Sequence, residues 1–461
     1  MEFTTGKTLR KFIDEDRRNI NLPRRLSFGN INNETNHDDS SQLTSARTSC
    51  VSPSSSPWTR SPKNTARSPS PPLSYHCLAS LHRREGNIYS ITATKDFIFT
   101  GSSSKRIHAW KNPDCSEIGF VNSTSGDIRA ILAYENLLIT THGDHRIRLW
   151  DVVSPTTENN FRIKKITTLP KRRRSLINYF PYPKKRKTIH DHHQHKDFIS
   201  CVAYNDNEKL LYTGSWDQTV KVWKINENKC VDSFIAHEDF INAIVINQED
   251  GCVFTCSCDG TVKIWRRVCK ESSHILTTTL KLIQPLSPVN ALALLNLSPV
   301  CFLYSGSSDG LINCWEKEKI SGRYNHVGVL QGHHFAVLCL VTIDDLILSG
   351  SEDATIRIWK RDEEDYNFFH SCIQVIDGHH GPVKCLAAAV EINEVNVKCL
   401  LVYSASLDQS LKVWRVKVYD DHKVKLDKEK NDDEKLECMD WKVSPVLSPS
   451  WVEKKIQGFD L

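Results

Sequence analysis

The stretch Leu211-Tyr-Thr-Gly-Ser-Trp-Asp-Gln-Thr-Val-Lys-Val-Trp223 decides the fold. Apolar and polar residues alternate on both sides of a short polar turn, which reads as strand, tight turn, strand, with one face buried. The pattern returns as Leu348-Ser-Gly-Ser-Glu-Asp-Ala-Thr-Ile-Arg-Ile-Trp359. Seven tryptophans end such segments: Trp110, Trp150, Trp223, Trp265, Trp315, Trp359 and Trp414. They are separated by 40, 73, 42, 50, 44 and 55 residues. A period of about 40 to 45 residues with four short strands per unit marks a β-propeller, and the longest gap is one blade plus an insertion of roughly thirty residues. The reading is all-β, with seven blades.

The turn is the most specific feature. Six residues before the tryptophan stands Asp144, Asp217, Asp259, Asp309, Asp353 or Asp408, and the first blade has Ser104 there. Four blades also carry a histidine four residues ahead of the β-branched residue that opens the next inner strand. The pairs are His195 and Ile199, His237 and Ile241, His333 and Val337, His379 and Val383. In these features the chain resembles the WD-repeat family. The resemblance implies that each such histidine joins the turn aspartate, a Ser or Thr of the middle strand and the tryptophan in a buried hydrogen-bonded network. A pair that recurs blade after blade is structural, because an active site would appear once. Blades 1, 2 and 5 lack the histidine and are expected to be softer.

A propeller must protect its terminal edges. The segment Tyr75–Leu81 is expected to complete the blade that ends at Trp414 to Val418, making 75–418 one domain. Residues 419–461 then form a charged linker and a Ser/Pro/Trp tail. Residues 1–74 hold five Ser-Pro steps, at Ser52, Ser56, Ser61, Ser68 and Ser70. Such a stretch is too poor in apolar residues to offset ordering entropy and should be disordered. Those serines suit proline-directed kinases, and Ser27 in Leu22-Pro-Arg-Arg-Leu-Ser27 suits a basophilic one, so all six are candidate phosphosites.

Net charge is only +5, with 25% charged residues, but it is unevenly spread. Residues 161–187 contain eleven Lys or Arg and no acid. They lie in an insertion of about 154–194 between blades 2 and 3. Its clusters, Lys171, Arg172, Arg173 and Arg174, then Lys184, Lys185, Arg186 and Lys187, resemble a two-part nuclear import signal. A solvated loop, or a surface for nucleic acid or anionic lipid with Tyr179, Phe180 and Tyr182 interleaved, stays open. No signal-peptide core or run of eighteen apolar residues occurs, so cytoplasm and nucleus are the expected locations.

Chemistry-bearing patterns are absent. Sixteen cysteines include no C-x-x-C; Cys256 and Cys258 should share a strand face as plain structural thiols. The cluster His190-Asp-His-His-Gln-His195 lacks a converging cysteine for zinc. No Gly-rich phosphate loop or isolated nucleophile with a base is found, so neither cofactor nor catalytic residue is expected. Binding of other proteins is expected on the loops before the inner strands. Asp197, Phe198, Asp239, Phe240, His334 and His380 are the candidates, since exposed aromatics ringed by charge make hot spots; the two phenylalanines could instead plug the channel.

Within the family, the chain resembles the plant JINGUBANG-like group. The resemblance rests on Phe99-Thr-Gly-Ser102, Tyr212-Thr-Gly-Ser-Trp-Asp217, Leu348-Ser-Gly-Ser-Glu-Asp353, the basic insertion and Val446-Leu-Ser-Pro-Ser-Trp-Val-Glu453. It implies a non-catalytic adaptor that restrains developmental programmes such as pollen germination, acting through transcription or signalling partners. The alternative is a substrate receptor of a cullin-type ubiquitin ligase. Those receptors often carry Trp-Asp-x-Arg at a strand end, and here the matching segment is Trp150-Asp-Val-Val153.

Overall fold

Alternation of the kind seen at 211–223 produces strands throughout. The computed structural model describes residues 73–82, 86–112, 115–123, 126–153, 162–171, 193–268, 273–282, 287–297, 300–361, 370–391 and 397–419. These hold 28 strands and no helix, arranged as seven four-stranded antiparallel sheets. Blade 3 shows the plan: Ile199–Asn205, Leu210–Ser215, Thr219–Lys224 and Lys229–Ile235, paired in sequence order from the inside outwards. The inner strands of blades 1 to 7 begin at Ile88, Ile128, Ile199, Ile241, Val289, Val337 and Val383. Each packs on the next, and the last packs on the first, closing a ring.

Closure uses the start of the chain. Leu73–His82 is the outer strand of blade 7, in register with Ser410–Val418 from Leu73 opposite Val418 to His82 opposite Ser410. Both ends of the described chain therefore share one sheet, and no blade lacks its fourth strand.

The core sits between blades. Trp359 of blade 6 packs against Phe302, Tyr304 and Ile347, and Trp265 of blade 4 against Tyr212 and Ile241. The sheets approach closely because small residues stand in the middle strands. A Cβ on Gly214 would lie 2.7 Å from Ile241, and one on Gly350 would lie 2.6 Å from Val383, so any larger side chain would push neighbouring blades apart.

Every inner strand carries a bulge at its second residue, visible as a register shift around Tyr89, Arg129, Ser200, Asn242, Asn290, Leu338 and Lys384. The bulge turns that side chain out of the ladder. Three of them clamp blade to blade: Ser200 donates to the carbonyl of Ile241, Asn242 to that of Val289 at 2.8 Å, and Asn290 to that of Val337 at 3.0 Å. Thr141 does the same for Ile199 at 3.0 Å.

One expectation needs correction. Arg162–Leu169, assigned by sequence to the insertion, is the outer strand of blade 2 and pairs with Ile147–Val153. Its charges make it look like a loop, yet an edge strand needs only one buried face. Three of the eleven basic residues thus belong to the blade. Lys171 is described and exposed. Arg172, Arg173, Arg174, Lys184, Lys185, Arg186 and Lys187 lie outside the described residues, as do Ser27, Ser52, Ser56, Ser61, Ser68 and Ser70.

Candidate partner-binding face

The loop before each inner strand and the turn between the two middle strands lie at the same end of every blade. A repeated backbone bond holds them together: Trp216 N–H donates to Phe198 C=O at 3.0 Å, Cys258 to Phe240 at 2.9 Å, Glu352 to Ala336 at 2.9 Å, with equivalents in all seven blades. This end, the upper face, contains the partner-binding candidates together with the histidines and aspartates of the blade networks.

The histidines and aspartates there are committed to the blades. In blade 3 the Trp223 indole N–H donates to Thr213 Oγ1 at 2.9 Å, Thr213 lies 2.9 Å from His195 Nε2, and His195 Nδ1 lies 3.0 Å from Asp217. With a neutral imidazole every group is satisfied by indole to hydroxyl, hydroxyl to Nε2, and an Nδ1 proton to carboxylate, and the Thr213 hydroxyl also has the Lys221 carbonyl as an acceptor at 3.3 Å. Burial indeed holds His195 below its ordinary 6.5, outweighing the opposing pull of Asp217. Burial works to raise Asp217 as well, but His195, Thr219 and the Lys196 N–H prevail, and its carboxyl falls well below 3.8.

The same chain links His237, Asp259, Thr255 and Trp265, then His333, Asp353, Ser349 and Trp359, then His379, Asp408, Ser404 and Trp414. All four histidine side chains are buried. No reactant could reach them, so these pairs are structural.

Blade 2 departs from expectation. Its network is closed by His142, which lies 2.8 Å from Thr140 and 3.0 Å from Ser123, while Trp150 donates to Thr140 at 2.8 Å. The histidine comes from inside the hairpin, at the position of Ser215 in blade 3, so the four-residue spacing rule could not find it. Asp144 is then released to bind the Arg148 guanidinium through both oxygens, at 3.0 and 2.6 Å. In blade 1 Trp110 reaches Thr100 at 3.2 Å, and Ser104 accepts the Arg106 N–H as a turn aspartate would. In blade 5 the buried Ser305 hydroxyl and one Asp309 oxygen have no hydrogen-bond partner.

The aromatic candidates form one cluster with members that the sequence did not flag. Phe198 meets Trp216 edge-on at 5.3 Å, and Trp216 stacks on Phe240 at 5.2 Å. The Arg129 guanidinium lies 4.5 Å from the Phe198 ring and 4.4 Å from Tyr89, and Asp127 holds it at 3.0 Å. A ladder of rings and one guanidinium thus crosses blades 1 to 4.

Phe198 is only 7% exposed and is corrected from exposed anchor to support. Its burial under Arg129, His145 and Trp216 leaves Trp216 and Phe240, both half-buried, as the accessible members. Trp216 went unnoticed because it occupies a turn position where a polar residue is expected. Asp197 and Asp239 each accept the N–H of the following phenylalanine at 2.7 Å, so they orient the loop. His334 and His380 are exposed on blades 6 and 7; their backbone N–H groups donate to Asp353 and Asp408. Phe335 beside His334 is 47% exposed.

The Cys256 and Cys258 thiols are held in the protonated form. Burial raises Cys256 well above 9.0 and Cys258 to about 11. Among the described residues no three His, Cys, Asp or Glu converge to hold a metal.

The comparisons agree with this division of blades. The family model "WD domain, G-beta repeat" matches residues 184–224, 228–266, 324–360 and 370–415. These are the four blades with the complete histidine network. Telomerase protein component 1 of Rattus norvegicus is 32% identical over 114 residues, covering 24% of this chain and 4% of that protein. Nuclear distribution protein PAC1 of Yarrowia lipolytica is 32% identical over 137 residues, covering 29% and 28%. Nuclear distribution protein nudF of Aspergillus niger is 29% identical over 243 residues, covering 52% and 40%. The matches span less than half the length of each of these relatives. A solved structure, the WD40 β-propeller domain of Doa1, superposes with a TM-score of 0.53 at 20% identity, over 74% of this chain and 96% of that one. The chain is a seven-bladed β-propeller, four of whose blades match the WD-repeat model.

Proposed function

We propose that this propeller is a non-catalytic scaffold that docks other proteins on its upper face, with Trp216 and Phe240 as the anchor. The carrying observation is the stacked, half-buried pair held from beneath by Phe198 and Arg129. Rigid aromatic surface of this kind loses little entropy on binding and dominates interface energetics. The varied WD proteins among its relatives suit a fold used for interaction rather than for one reaction.

The finer reading is an adaptor that restrains plant developmental programmes through transcription or signalling partners. It is supported by the sequence resemblance to the JINGUBANG-like group, while the kinase sites of the arm and the import signal supply its regulation and its nuclear share. The ligase-receptor alternative has less support, because Val153 stands where the arginine of Trp-Asp-x-Arg is required.

The test is affinity purification of the full chain against Trp216→Ala and Phe240→Ala, with Phe120→Ala on the outer edge of blade 1 as control. Losing such an anchor costs about 2 kcal/mol or more, roughly thirtyfold in affinity. A defined set of partners should disappear from both upper-face variants and persist in the control. Unchanged partners in all three would refute the proposal.

A further inference from the structure

The seven outer strands share the same architecture but not the same charge. Arg162–Leu169 of blade 2 carries Arg162, Lys164 and Lys165 within eight residues and no acid. No other outer strand has more than one Lys or Arg. Lysines commonly protect edge strands from pairing with other chains, but that need is equal in all seven blades and would not concentrate the charge in one.

All three cations are exposed, and the row continues through Ile166, 56% exposed, to exposed Lys171. Two acids stand near this charge among the described residues. Asp144 is held by Arg148, and Asp151 stands opposite Lys164 in the ladder. The Lys165 ammonium is depressed by burial and then by Arg148 and Arg146, against the opposing pull of Asp144.

We infer that the outer strand of blade 2 is a docking strip for the phosphate backbone of a single-stranded nucleic acid. The shape selects this occupant over a membrane. Arg162 and Lys164, two residues apart, fall on one side of the strand about 6.6 Å apart, in a row one strand wide, whereas an anionic bilayer needs a broad basic plane. Three phosphate contacts would also give binding without base specificity.

The experiment titrates full-length protein against a fluorescent single-stranded oligonucleotide of mixed sequence between 50 and 200 mM salt. The wild type is compared with Arg162→Gln/Lys164→Gln/Lys165→Gln and with the charge-preserving Arg162→Lys/Lys164→Arg/Lys165→Arg. Thermal unfolding confirms that all three fold alike. Loss of three phosphate contacts at about 0.7 each should lower the slope of log affinity against log salt by about 2, while the charge-preserving variant keeps the wild-type slope. Three results would overturn the inference: no binding by the wild type, an unchanged slope in the Gln variant, or a Gln substitution effect confined to phosphatidylserine vesicles.

Discussion

At the residue scale, the same side chains that suggest catalysis are the ones that hold the blades together. His195 and Asp217 make a relay only in appearance; the imidazole is neutral, buried and saturated. A buried partner left unsatisfied would cost about 1–3 kcal/mol, which explains why complete networks are repeated. The pH dependence follows with a definite sign. Burial depresses His195 and His379 from 6.5, so their contribution is present above 6.5 and declines as pH falls below it. Against the opposing effect of burial, Ser410 and backbone N–H groups take Asp408 from 3.8 down to about 2; Asp217, Asp259 and Asp353 fall further. Their contribution is full above the unfolded 3.8 and is lost as pH drops through the folded values. Urea midpoints should therefore decline gently below pH 6.5 and steeply below pH 4, with Asp217→Asn flattening the acid limb. A flat profile from pH 7 to 3 would contradict this assignment.

At the element scale, blades differ in how well their interiors are satisfied. The sequence made the aspartate and tryptophan registers plain, since both recur at fixed spacing from the turn. It misplaced the basic outer strand of blade 2, because an edge strand with one buried face can carry loop-like charge. It also missed His142, which performs the histidine role from the other side of the hairpin. Blade 2 is consequently better knit than the missing upstream histidine implied, whereas blade 5 keeps an unpartnered Ser305 hydroxyl in its core. Hydrogen exchange should order them accordingly: amides of Val300–Ser307 in blade 5 exchange at least about tenfold faster than those of Val253–Ser257 in blade 4, a difference of about 1.4 kcal/mol. Leu137–His142 in blade 2 should follow blade 4. Equal exchange in blades 2 and 5 would mean that His142 does not substitute.

At the scale of the whole molecule, the ring separates stability from recognition. Inter-blade clamps such as Asn242 to Val289 and Asn290 to Val337, together with the returning strand Leu73–His82, fix the upper rim as a rigid platform. On it the ladder from Tyr89 to Phe240 is already packed in the arrangement that the proposed docking uses. This site was half legible in the sequence: the phenylalanines were found by their offset from the histidine, but only tertiary packing shows that Phe198 is covered and Trp216 presented. The two ends of the ring differ, because Ile320, 97% exposed, lies in the turn between the third and fourth strands of blade 5 at the lower end. A photoreactive amino acid placed at Gln218, in the same turn as Trp216 and half-buried, can be compared in cells with one at Ile320. Partner adducts should form at position 218 and be lost when Phe240→Ala is added; adducts at 320 with none at 218 would contradict an upper-face scaffold.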